Sequence, residues 1–230
     1  MLDLARTGKI DGATVINRLD LANELVKYLH WVVLRYCESD HDDPTQDFQE
    51  FGADPRVIYQ LGNEANVAHD TDHWLKQMRD ADVHGRKVVI FNDSVGNTED
   101  NQWIERRPAL EYAKAHGHYV GLHAYGRIDG FYHPMTAWDN PGDWRWYAGR
   151  FEHLYSLIPD VQPDLILTEC GAGGFQLDAG VSNWLTDIRE MEDRAAKLPY
   201  LKSWHWWTVG GANGYGFDRD CLDAWLPRLR

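Results

Sequence analysis

RVIYQLGNE, residues 56–64, is the stretch whose reading decides the fold. Val57, Ile58, Tyr59 and Leu61 form a nearly continuous apolar run, not an alternating one. That is the pattern of a strand covered on both faces, as in a parallel sheet. Runs of the same kind recur on either side: TVINR (14–18), WVVLRY (31–36), KVVIFN (87–92), HYVGLHAY (118–125), DLILTE (164–169) and SWHWWTV (203–209). Most are rich in β-branched or aromatic residues.

Amphipathic segments separate these runs. Asp20 is the expected N-cap of LANELVKYL, with Glu24 near its start. Asp70 or Thr71 is expected to cap HWLKQMRDADV. PALEYAKAHG opens with Pro108 and stops at Gly117, the favoured order for a helix. Residues 143–158 end before Pro159, Ser182 precedes a long amphipathic run, and residues 218–230 read as a last helix. Steady strand–helix alternation predicts βαβ units and a parallel sheet. With no GxGxxG after a strand and no GxxxxGK[ST], an open nucleotide-binding sheet lacks its main residues. The predicted fold class is therefore α/β, a (β/α)8 TIM barrel forming one catalytic domain over residues 1–230. Seven strands are legible, and no strand is recognisable before Thr14, so the first strand is expected to be lacking or distorted. The 230 residues also lie below the about 250 typical of the fold.

Composition narrows the partners. Acidic residues outnumber basic ones 36 to 23, a net charge of −13, which repels phosphate backbones and anionic membrane surfaces. Neither nucleic acid nor membrane is an expected partner, and a neutral substrate fits. Eleven Trp supply flat rings for core packing and for stacking on the apolar faces of sugars. Cys37, Cys170 and Cys221 are odd in number and widely spaced, implying neither a disulfide framework nor a zinc site. MLDLARTGKID has no signal-peptide core, so the chain is expected inside the cell or as an exported protein whose signal has been removed.

The reacting groups of such barrels stand at the C-terminal ends of the strands. There VIYQLG runs into Asn63 and Glu64, and LILT runs into Glu169 and a glycine-rich turn. A carboxylate that ends a buried apolar strand is costly unless it meets a partner or a ligand. Two of them suggest a paired-carboxylate site, the apparatus of glycosidic bond cleavage. LGNEAN resembles the strand-four motif of the clan A retaining glycosidases, and LTECG resembles their strand-seven segment. HAYG (123–126) lies on a strand between the two, and WHWW (204–207) is similar to their last strand.

This resemblance implies Glu64 as acid/base, Glu169 as nucleophile and Asn63 as the residue that binds the sugar 2-hydroxyl. It implies Tyr125 as a hydrogen-bond donor to the nucleophile, with His123 on the same side of its strand. Trp206 or Trp207 would be the sugar platform; Trp207 is favoured because His205, two residues earlier, suits a polar interior. An early-strand arginine would hold the nucleophile, with Arg35 favoured over Arg18. The implied substrate is an oligo- or polysaccharide or another glycoside, and no cofactor or metal is required.

Other readings stand beside these. His123 and Tyr125 could be satisfied core groups, and the whole chain could be a non-catalytic carbohydrate-binding barrel. A metal-dependent hydrolase would use His116, His118, His123 and His133, but the first two are expected at the opposite end of the barrel. The acidic run Glu38, Asp40, Asp42 and Asp43 and the glycine-rich stretch 210–216 read as loops on the catalytic face.

Overall fold

The structure, a computed structural model, describes residues 1–35, 52–64, 71–95, 97–125, 149–171, 189 and 191–206. After a short helix, α1 (Leu2–Arg6), strands and helices alternate. They are β1 (Gly12–Ile16), α2 (Leu19–Leu25), β2 (Trp31–Arg35), β3 (Ile58–Gln60), α3 (Thr71–Val83) and β4 (Val88–Asp93). Then come α4 (Asp100–Glu105), α5 (Arg107–His116), β5 (Tyr119–Tyr125), α6 (Arg150–Ser156), β6 (Leu165–Gly171) and β7 (Leu201–Trp206). Residues 191–195 are also helical.

The seven strands form one sheet in sequence order, and every adjacent pair is parallel. Each expected run carries one strand. The ends of the sheet approach each other: β1 and β7 come within 8 Å, Cα to Cα. Among the described residues they share no backbone ladder. Side chains join them instead. His205 Nδ1 lies 2.6 Å from Thr14 Oγ1 across the joint, and its Nε2 lies 2.9 Å from Ser203 Oγ on its own strand. Gly12 makes this possible, because a β-carbon there would collide with Ser203 and His205. Burial holds the His205 pKa down at about 3, so the ring is a neutral bridge. The wall is thus a nearly closed TIM barrel.

Strand alternation sorts side chains to two sides. Val32, Leu34, Tyr59, Leu61, Ile90, Val120, Leu122, Leu165 and Leu167 face outward and join the helices in one large apolar core. Val33, Ile58, Val89 and Ile166 face inward and form a separate small cluster. Trp31 and Tyr119, edge to face at 5.7 Å, close the lower end of that cluster. Above it the interior turns polar.

Some boundaries differ from expectation. Strand β1 begins two residues early and ends at Ile16, because Asn17 takes a positive φ of 51°. Arg18, not Asp20, is the N-cap of α2; Asp20 lies in the first turn, where a negative charge favours the positive end of the helix. Helix α5 ends as expected at Gly117, whose φ of 67° suits a residue without a β-carbon. Among the described residues no helix is long and apolar enough to cross a membrane.

Candidate active site

Three sheet irregularities shape the upper end of the barrel. In the β4–β5 ladder Phe91 pairs with Gly121 and Asp93 with Leu122, so Asn92 is an extra residue on β4. In the β5–β6 ladder Leu122 pairs with Leu167 and His123 with Glu169, so Thr168 is an extra residue on β6. A third shift falls between Leu167 and Cys170 along β6–β7. Such bulges re-aim side chains. Here the second one lets Thr168 and Glu169 both serve the interior, while Leu167 and Cys170 keep their places in the outer core.

Glu169 is buried and held from two strands. Arg35, at the end of β2, donates from Nη1 to Oε1 at 2.7 Å, and Tyr125, at the end of β5, donates its hydroxyl to Oε2 at 2.8 Å. The two bonds fix the carboxyl group from both sides. Burial first, and then the charge of Glu169, push the Tyr125 phenol far above its ordinary range. Tyr125 therefore stays protonated and remains a donor.

Glu64 follows β3 with φ at 54°, a left-handed conformation that a glutamate rarely adopts. Its N–H donates to the carbonyl of Asn92 at 3.0 Å. His123 Nδ1 lies 3.0 Å from Glu64 Oε1 and 3.7 Å from Glu169 Oε2. Since both oxygens flank one nitrogen, they lie at most roughly 7 Å apart. The hydrogen bond from His123 lowers the Glu64 pKa, outweighing the upward push of burial; Ser94 and the charge of Arg35 act in the same direction as His123.

Asn63 is partly buried beside Glu64. Gln60 Nε2 donates to its Oδ1 at 3.3 Å, which leaves the Asn63 amino group to be offered elsewhere. Arg35, Asn63, Glu64, His123, Tyr125 and Glu169 thus gather at one end of one barrel. Trp206 does not join them. It faces outward, and its indole N–H donates to Glu192, beside the 191–195 helix, at 3.4 Å. The reading of Trp206 as a sugar platform is corrected accordingly: strand alternation puts His205 inside, so its neighbour faces out. Trp207 lies outside the described residues, as do His133, the 38–43 acidic run and the 210–216 stretch. Arg18 is exposed and paired with Asp20 at 2.8 Å, away from the carboxylates. His116 and His118 stand before β5, at the opposite end, where both meet Asp82 at 2.7 and 3.2 Å.

Sequence reasoning missed Asn92, Ser94 and Thr168. One signal was available, since KVVIFND also ends an apolar strand in polar residues.

No protein-family model matches the chain, and no curated protein matches it. Solved structures do. A β-D-glucuronidase from Dictyoglomus thermophilum superposes with a TM-score of 0.63 at 14% identity, over 99% of this chain and 46% of that one. An endo-β-1,4-glucanase from Xanthomonas axonopodis pv. citri, carrying a triple mutation, gives 0.60 at 14% identity, over 100% and 90%. The fold is a TIM barrel, which these hydrolases share. An endo-β-1,3-glucanase from Pseudomonas viridiflava extends the likeness, with a TM-score of 0.59 at 14% identity over 100% and 93%. The chain therefore spans less than half the glucuronidase but nearly the whole of the two glucanases.

Proposed function

We propose that this chain is a retaining glycoside hydrolase that cleaves β-glycosidic bonds by double displacement. The observation that carries the reading is the pair of strand-end glutamates flanking His123, one of them gripped by Arg35 and Tyr125. In the first step Glu169 attacks the anomeric carbon while Glu64 gives a proton to the departing oxygen. A glycosyl-enzyme ester forms and the aglycone leaves. In the second step Glu64 takes a proton from water, which attacks the same carbon and frees Glu169.

The unlike surroundings of the two carboxyls suit their unlike tasks. Glu169 is buried and takes a hydrogen bond on each oxygen, from Arg35 and from Tyr125. Glu64 has a side chain 43% exposed, so a sugar lying over it would displace water and disfavour its charged form. The proton shared with His123 Nδ1 can then reside on Glu64. In this reading Asn63 donates to the sugar 2-hydroxyl, and Trp207 takes the part of the sugar platform that the sequence resemblance implies. The glucanases and the glucuronidase among the structural neighbours favour a β-linked oligo- or polysaccharide or glycoside as substrate. The proposal invokes no cofactor.

The test is turnover of a panel of aryl β-glycosides by the wild type and by Glu169→Gln, with folding checked by circular dichroism. The expected result is release by the wild type and a loss of several orders of magnitude in the variant. Equal turnover by both would overturn the assignment of Glu169. Sugar binding without release by either would identify a binding barrel instead.

A further inference from the structure

Asn92 touches the segments that lead to Glu64, His123 and Glu169. It is fully buried and holds a φ of 51°, next to Phe91 at 73°. Two consecutive non-glycine residues in the left-handed region store strain that the surrounding structure must over-determine. Its bonds show how. Nδ2 donates to the carbonyl of Leu61, three residues before Glu64, at 3.0 Å, and to that of Val89 at 3.2 Å. Its own carbonyl receives the N–H of Glu64 at 3.0 Å. Its Oδ1 accepts from Thr168 Oγ1, the residue before Glu169, at 3.1 Å. The amide lies over Gly121 of β5, where any β-carbon would overlap it; Gly121 stands two residues before His123.

The two extra residues of two bulges are therefore bonded to each other, and each adjoins one of the two glutamates. We propose that Asn92 is a positioning residue that sets the separation and relative aim of Glu64 and Glu169, acting through Thr168 on one side and the Glu64 backbone on the other. This rests on the glycosidase reading for its meaning in catalysis, but its geometry can be tested without turnover.

The Asn92–Thr168 bond can be cut with little change of shape by Thr168→Val and restored by Thr168→Ser. Arg35, His123 and Tyr125, which face the carboxyl pair from β2 and β5, are left in place by both changes. Two measurements are made on the folded full chain: carboxyl titrations of Glu64 and Glu169 by 13C NMR, assigned with single Gln variants, and kcat and KM on an aryl β-glycoside. Carboxylates that drift apart couple less, so in Thr168→Val the gap between their two macroscopic pKa values narrows. The loss of aim lowers kcat roughly 10- to 100-fold while KM changes far less. Thr168→Ser returns both to the wild-type values. A folded Thr168→Val with wild-type titrations and wild-type kcat would overturn the inference. If that variant does not fold, Thr168→Ala carries the same comparison. Altered titrations in a protein that turns over no glycoside would uphold the positioning role and reject the glycosidase reading.

Discussion

Tyr125 and His123 stand two residues apart on β5, yet each serves a different glutamate. Tyr125 donates one bond to the buried carboxyl group of Glu169, and a bond to a charged group is worth about 1.5–3 kcal/mol. Tyr125→Phe should therefore lower kcat on an aryl β-glycoside roughly 10- to 100-fold with the fold intact. An unchanged kcat would mean that Arg35 alone holds the nucleophile. His123 acts on the titration of Glu64. Its hydrogen bond favours the Glu64 anion, so removing it raises the Glu64 pKa from its lowered position toward or above the ordinary 4.5. The proposed mechanism has Glu64 protonated in the first step, so the basic limb of the kcat/KM profile would report the loss of that proton. In His123→Ala the limb should move to higher pH. A limb that stays in place or falls would separate His123 from the acid/base function.

At the scale of the element, the bulges on β4 and β6 carry more of the site than the strands themselves. Gly121 shows how tightly they fit. A methyl group at this position overlaps Asn92 and crowds Val89, so Gly121→Ala should cost about 1–3 kcal/mol, read as a lower urea midpoint at unchanged slope. A midpoint equal to that of the wild type would show that β4 can relax away. These details also mark where sequence reading stops. The seven strands were legible from β-branched and aromatic residues, and those in the middle of the sheet, buried on both faces, from nearly unbroken apolar runs as well. Glu64 and Glu169 were legible because a carboxylate at the end of such a run needs an explanation. Helices α1 and α4, of five and six residues, were not, since helices that short owe their form to tertiary contacts rather than to propensity. Asn92 and Thr168 were not assigned roles, because a bulge is a property of two strands together and neither sequence announces it alone. The outward turn of Trp206 became definite only once His205 was seen bridging to Thr14.

Over the whole molecule, a buried ionic cluster ties the upper end of β4 to the helices around it. Asp93 pairs with Arg106, at the junction of α4 and α5, and accepts from Thr98. Arg150, at the start of α6, donates to the carbonyls of Asp93, at 3.0 Å, and of Ser94. Burial pushes the Asp93 pKa up, but Arg106 and Arg150 outweigh it, and the net position is below the ordinary 3.8. Arg106→Met would strand a buried charge and should cost about 3–5 kcal/mol near neutral pH. A depressed folded-state pKa gives stability that is present above 3.8 and lost as pH falls through the lowered value. The difference between wild type and variant should be constant near neutral pH and shrink as acid protonates Asp93, first in the variant, where burial is less opposed. A difference independent of pH down to strong acid would assign the loss to packing instead. The last joint of the barrel has another character. Among the described residues six joints in its wall are backbone ladders, while between β1 and β7 a neutral histidine of one strand meets a threonine hydroxyl of the other. A cylinder built this way breathes at one chosen line. Amides of β1 on that side should trade their protons with heavy water sooner than those of β4 and β5, long before the molecule unfolds as a whole.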